Sequence, residues 1–338
     1  MGEGNALKDV RKIENVYVLA SASVVGREEW RGPFGRCFDF HDESNRFGAK
    51  TWEKAEGEMQ SIALSLALKK EGAYDMPDFL FSGDLQNQCV ASAQGLVGYK
   101  IPYFGLYGAC STITEGLCLA SLLLGGEMAE RVGVVTSSHT AAAERQFRLP
   151  LEYGGQRPPT AQWTATASAA FILGRGKRTP VRIRAVAAGR MIDGGIRDAS
   201  HMGAAMAPAA ADSILRFLSS TKSSPEDYDH IVTGDLGIYG SELLLMLLSE
   251  EGVTVKNHLD CGSLLYDLAS QDAHAGASGC GCSAAMLSAH FLPRLWRGEL
   301  KRVLFLSTGA IMSPSSIAQG ENIFGVAPAV LLEGGKEI

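Results

Sequence analysis

Apolar positions along this chain switch repeatedly between the alternating pattern of strands and the one-face pattern of helices. In the first half, Val16–Ser21 reads as a strand and Lys54–Lys70 as a helix with an apolar stripe (EGEMQSIALSLALKK). A strand at Phe79–Ser82, a helix over Asn87–Tyr99, a strand over Ile101–Leu106 and a helix over Thr112–Gly125 follow. The second half opens with an alternating strand at Val181–Val186. It continues with an Ala-rich helix (Met202–Ser220), a strand (His230–Thr233) and a helix (Ser241–Glu250); the pattern is weaker from there to the Gly-rich turn at 276–281. This alternation predicts an α/β protein with mixed, largely parallel sheets covered by helices.

The same order of elements occurs twice. A shift that lays Cys110-Ser111 on Cys282-Ser283 also lays Gly126-Glu127 on Gly298-Glu299. Between these anchors each copy reads as one helix, TITEGLCLASLLLG and AAMLSAHFLPRLWR. Each is followed by a short apolar run, at 130–139 and 301–310, and then by a last strand, at 166–176 and 326–335. A duplication is therefore expected, with halves 1–177 and 178–338 packed as five layers, α-β-α-β-α. Ligands in such bodies bind where the strand C-terminal ends meet. The first half carries an insertion at 140–163 between its last two strands. Connections of this length are usually functional or lie at interfaces.

Composition narrows the function classes. The net charge of -6 offers no footprint for nucleic acid. No apolar run reaches the ~18–20 residues that span a bilayer. The N-terminal MGEGNALKDVRKIEN lacks the apolar centre of a signal peptide, so an intracellular protein is expected. Seven cysteines, with Cys280 and Cys282 as their one close pair, show no zinc spacing and read as reduced thiols.

A free cysteine can carry chemistry. Cys110 lies in YGACST, between a predicted strand and a helix start, where unpaired N–H groups favour an anion. It is either a partly activated thiol or a small residue filling a tight turn. The turn resembles the nucleophile turn of thiolases and ketoacyl synthases, and the duplicated halves are similar to that superfamily along nearly the whole chain. The resemblance implies a thiolase-like fold, a dimer pairing through a first-half strand, and a cysteine that takes an acyl group with histidine help. His274, in HAGASGCGCSA, is similar to the superfamily's histidine motif but lacks its proline and is one residue shorter. Where the thiolase acid–base cysteine would stand, this chain reads Ser307-Thr308-Gly309-Ala310. Where synthases place histidine or asparagine, it reads Gly234-Asp235-Leu236-Gly237. An ionised carboxylate there repels a developing enolate. An acyltransferase would rely on Cys110 and His274.

A second resemblance is more specific. The block RQFRLPLEYGGQRPPTAQW (145–163), with MGAAMAPAAADSI (202–214), GDLG (234–237) and DCG (260–262), resembles the stage V sporulation protein AD family of spore-forming Firmicutes. That family implies binding of dipicolinic acid, alone or with Ca²⁺. It also implies work with membrane proteins of the same operon to move dipicolinate into the developing spore, at the inner spore membrane of the forespore. Dipicolinate is a flat pyridine with two carboxylates and asks for cationic forks, a donor and an apolar slot. Arg145, Arg148 and Arg157 are the candidate forks, and His139 and His274 the candidate donors; the arginines read equally well as solvated or interface charge. Calcium arriving with the ligand would want oxygens. Asp84, Asp235 and Asp260 are the carboxylate candidates, each also readable as a loop or capping aspartate. No resident metal or cofactor is expected.

Overall fold

The protein is described from a computed structural model covering residues 9–147, 151–176 and 179–335; Arg148 lies outside the described residues. Five strands of the first half are β1 (Val16–Gly26), β2 (Phe79–Gly83), β3 (Tyr103–Gly105), β4 (Arg131–Ser138) and β5 (Ala167–Arg175). Five of the second are β6 (Arg182–Ala187), β7 (His230–Thr233), β8 (His258–Asp260), β9 (Arg302–Leu306) and β10 (Ala329–Glu333). They form one path, β8-β7-β9-β10-β6-β1-β5-β4-β2-β3. From the outside in, each half therefore reads third, second, fourth, fifth, first. The pairing senses repeat as well. The second strand of each half is parallel to the third and fourth, the fifth is antiparallel to the fourth, and β1 meets β6 at Tyr17 and Arg182.

Side-chain alternation turns this path into layers. Phe171 and Leu173 of β5, Val303 and Phe305 of β9, and Val330 and Leu332 of β10 share one core. Into that core pack two central helices. One is α2 (Thr112–Gly125), with Ile113, Leu117 and Leu124. The other starts at Cys280 and runs through a π turn (Leu287–Phe291) to Trp296. The intervening strand residues face outward. Ala170 and Ile172 meet Met59, Ala63 and Leu64 of α1 (Trp52–Glu71), and Leu304 and Leu331 meet Ile214 and Phe217 of the helix Met202–Thr221. The result is the expected five-layered α-β-α-β-α body. Strands buried on both faces read as continuous apolar runs, which is why FILG and VLFL show little alternation in sequence. Truncating the fully buried Phe171 to Ala would cost about 3–5 kcal/mol.

Two expectations are corrected. The helix expected over Asn87–Tyr99 is broken, with Val90–Leu96 as its α-helical part. Asp84 holds the turn before it, accepting from the Gln86 and Ser92 amides (2.9 and 2.8 Å), while Gln88 and Cys89 take left-handed φ of 57° and 52°. The strand expected over Ile101–Leu106 is only Tyr103–Gly105. The insertion also gains structure. It begins as a helix, α3 (Thr140–Phe147), and ends as Trp163–Thr164, paired in parallel with Ala277–Ser278. That short pairing ties the insertion to the turn before the second central helix.

Candidate functional site

Cys110 sits in a single tight turn, Ala109–Ser111, that runs into α2. Ala109 is held at φ 50°, a left-handed value that costs a residue with a Cβ and recurs at functional turns. Against this turn lies Gly309. A Cβ there would fall 2.3 Å from the Gly108 carbonyl, so only glycine lets the second half approach so closely. The Cys110 side chain is 4 % exposed and its Sγ lies 3.9 Å from Ser278 Oγ.

The carboxyl of Asp235 is near enough for its charge to act on the thiol. The carboxyl of Asp235 is closed on its other sides. Thr308 Oγ1 donates to Oδ1 at 2.7 Å and the Gly279 amide to Oδ2 at 2.9 Å. Thr308, in the stretch Ser307–Ala310, thus locks Asp235. Gln162 Nε2 clamps the Asp235 and Ala277 carbonyls from the end of the insertion (2.6 and 2.8 Å). Gly279, at φ 101°, has no room for a Cβ beside Ser138 Oγ, 2.6 Å away. Burial pushes Asp235 up to about 7. Burial first, and then the nearby Asp235 charge, push the Cys110 thiol well above its ordinary value. Activation by the helix start, expected from the sequence, is therefore outweighed by desolvation and a like charge.

The cavity at Cys110 is small, about 30 Å³, which is room for a water or two. Its walls include Leu85, Tyr107, Ala143, Phe147, Met202 and Met312, and among the described residues no cation lines it.

The other candidates are placed elsewhere. His139 is buried, stacked at a tilt on Trp52, and its Nε2 faces the Asn45 carbonyl at 2.9 Å. Its Nδ1 accepts from the Ala141 amide, and burial lowers it to about 4, so it is neutral and structural. Arg145 is half exposed and pairs with Glu53 at 3.3 Å. Arg157 donates to the Asp272 carbonyl at 2.8 Å and lies over the Trp163 ring at 4.3 Å. His274, at φ 49°, sets its ring between the Pro158 carbonyl and the Asp272 carboxylate, both at 3.0 Å. The structure thus brings His274 to Arg157 through Asp272 and leaves Cys110 with Asp235. Asp260 caps the helical turn Cys261–Leu265 and accepts from Thr233 Oγ1 and the Leu236, Gly237 and Ser263 amides. It fixes the turn that carries Asp235. Asp84 belongs to a buried network with Glu56, Gln86 and Ser92, in which Glu56 is pushed up to about 8 by burial and by Asp84. Among the described residues, no three His, Cys, Asp or Glu side chains gather so as to hold a metal ion. Sequence reasoning missed Ser278 beside the thiol, and Gln162 and Gly279 as partners of Asp235. The signal was their place in the two unusual blocks, Thr-Ala-Gln-Trp and Gly-Ala-Ser-Gly.

With this geometry in hand, similarity to known proteins separates fold from role. The chain superposes on 3-oxoacyl-[acyl-carrier-protein] synthase III from Aquifex aeolicus with a TM-score of 0.58 at 12% identity, covering 94% of this chain and 99% of that one. It superposes on a Xanthomonas campestris OleA variant with a TM-score of 0.58 at 14% identity, covering 94% of this chain and 98% of that one. At such identities the likeness concerns the thiolase-like fold alone. In sequence, the chain is 41% identical to stage V sporulation protein AD of Bacillus subtilis over 322 residues, 94% of each chain. The sequence pattern of that family spans residues 8–333. The chain, a sporulation protein on a thiolase-like scaffold, belongs to the stage V sporulation protein AD family.

Proposed function

We propose that the protein binds dipicolinic acid, alone or with Ca²⁺, and serves its uptake into the developing spore with membrane proteins of the same operon. The observation that carries the non-enzymatic part of this reading is the pairing of Cys110 with Asp235. A condensing enzyme needs a thiolate to take the acyl group and donors preorganised for an enolate. Here burial and the nearby Asp235 charge keep the thiol from ionising, and the described residues leave only about 30 Å³ beside it. The ligand and the partners are those that the resemblance to the family implies. In this reading the protein acts in the forespore, peripheral to the inner spore membrane, and leaves membrane passage to its partners. No helix among the described residues is long and apolar enough to cross a membrane.

A homodimer is part of the proposal. β3 ends the sheet path, and Tyr103, Phe104 and Tyr107 around it are 41 %, 49 % and 43 % exposed. An open strand edge flanked by aromatic side chains is suited to pairing with its own copy across a two-fold axis. Calorimetry with dipicolinate, with and without Ca²⁺, tests the ligand. Intact mass after incubation with acyl-CoA tests the alternative acyltransferase using Cys110 and His274. Saturable heat and an unmodified chain support the binding protein; an acyl adduct on Cys110 without dipicolinate heat supports the enzyme.

A further inference from the structure

Two helices of the second half, α4 (Met202–Thr221) and α5 (Gly237–Glu250), lie side by side, with Gly203 of one against Gly240 of the other. The buried positions of α5 are Gly237, Gly240, Leu244 and Leu248, one stripe at helical spacing. The stripe on its far side carries Tyr239, Glu242, Met246 and Glu250, with Tyr239 38 % and Met246 61 % exposed. Between the two stripes, Leu243, Leu245 and Leu247 are only half-buried. An outer helix of a globular body ordinarily turns charged and polar residues to water. In GIYGSELLLMLLSE the charged side chains are two glutamates, and large apolar residues run without a break from Leu243 to Leu248. The element at the same place in the first half, after its second strand, is the short helix Val90–Leu96, so the scaffold does not itself call for a long apolar one.

The far stripe runs into an open depression of about 730 Å³ at the end of α5. Leu215 and Leu218 of α4 line it with Val253, and Glu226 and Glu251 stand among its walls. Four carboxylates therefore border the apolar surface: Glu242 and Glu250 on α5, Glu251 just past it and Glu226 across the depression. No ion pair between described residues involves any of the four. Helix α5 has no lysine, arginine or histidine, and Lys222 is the one cation among the described residues that line the depression.

Charge decides what fits. Two copies paired on this face across a two-fold axis would set the same carboxylates against one another. An anionic lipid surface would be repelled by them. A helix whose apolar side is flanked by lysines or arginines meets both features, with its apolar residues on the strip and its cations against the acids. We propose that the strip of Tyr239, Leu243 and Met246, with the depression at its end, docks a basic amphipathic helix of a protein partner. The inference rests on the part of the reading above that gives the protein partners, and it is independent of the ligand.

The test is fluorescence anisotropy of a labelled peptide of leucine and lysine in amphipathic helical order, titrated with the full chain. The same residues in scrambled order and a leucine–glutamate analogue serve as comparisons. Wild type should bind the ordered leucine–lysine peptide saturably and the other two at least about tenfold more weakly. Met246→Lys sets a cation in the strip and should weaken binding about tenfold, and Glu242→Lys about threefold. Glu58→Lys, on α1 of the first half, makes the same change of net charge as Glu242→Lys and should stay within about twofold of wild type. All three side chains are exposed, and circular dichroism with the melting temperature checks that each variant is folded. If the scrambled peptide binds as well, or if Met246→Lys and Glu242→Lys match Glu58→Lys, the assignment is overturned. Loss of self-association in Met246→Lys would give the face to a second copy, and loss of binding to phosphatidylglycerol vesicles would give it to lipid; either result overturns the assignment too. Saturable dipicolinate heat without peptide binding sinks this inference and leaves the ligand reading standing, and the reverse pair of results does the opposite.

Discussion

Asp235 and Glu29 are two buried carboxyls that burial lifts to the same height, about 7, and they differ in one respect. Both oxygens of Asp235 are claimed, by Thr308 and the Gly279 amide. Glu29 has one oxygen claimed twice and the other not at all. A perturbed carboxyl is often taken to mark a functional site, but here the perturbation does not separate the two. The hydrogen-bond inventory does. Asp235 fixes the Thr308 and Gly279 segments of the second half beside a silent thiol, and Glu29 keeps one oxygen unclaimed.

The largest effect that would sharpen this contrast is on stability. Asp235→Ala leaves the Thr308 hydroxyl and the Gly279 amide without their acceptor in a closed site. A loss of about 3 kcal/mol is expected, measured by urea denaturation. Asp235→Asn keeps the shape and should cost about 1 kcal/mol. Glu29→Gln, whose free oxygen holds nothing, should cost less than about 1 kcal/mol. Equal losses for Asp235→Ala and Glu29→Gln would erase the distinction.

The same contrast explains what the sequence made legible. The Asp235 side could be read because it departs from a known pattern at positions with strong local signals. Cys110 stands at a strand-to-helix turn, the histidine motif is shortened, and Gly234-Asp235 follows a clear strand. The five-layered body was readable for a similar reason, since its apolar runs recur in the same order. Glu29 could not be read. It lies in Arg27–Arg31, a short helix whose sequence, REEWR, looks like a solvated face, and its burial comes from Tyr266 and Thr166, distant in the chain. His139 and Asp260 misled in the opposite way. Each has the residue type of a ligand, and each is consumed by backbone partners that no spacing reveals. The three-arginine block gave composition without direction. Arg145 turns to Glu53 and Arg157 to Asp272.

A second, smaller effect lies in the pH dependence of folding. For Asp235 and Glu29 the folded values, about 7, lie above the ordinary 3.8 and 4.5. The native state therefore holds these protons more tightly than the unfolded chain. Their contribution is present at low pH and is lost as pH rises from those ordinary values through about 7, by up to about 1.4 kcal/mol per unit for each group. His139 runs the other way. Lowered from 6.5 to about 4, it contributes fully above 6.5 and loses roughly 3 kcal/mol as pH falls through 4. With two acids set against one histidine, unfolding free energy should decline as pH rises from about 4.5 and level off above about 7. Asp235→Asn and Glu29→Gln should each flatten that decline, and unchanged slopes would show that neither acid is buried as described.

The smallest effect is on Cys110 itself, and it tests whether the silent thiol is silent for the reason given. Thiolates, not thiols, react with iodoacetamide, so the rate reports the ionised fraction and the access of the reagent. Cys37 is exposed and provides a reference within the same chain. In native protein at pH 8, peptide mapping should find Cys37 labelled and Cys110 nearly untouched, because Cys110 is buried and faces a carboxyl. Asp235→Asn removes the like charge but leaves the walls of the cavity in place. Cys110 labelling should then rise by several-fold and still lag behind Cys37. If labelling instead reached the Cys37 rate in wild type, the thiol would be open and ionised, and Asp235 would be serving a nucleophile.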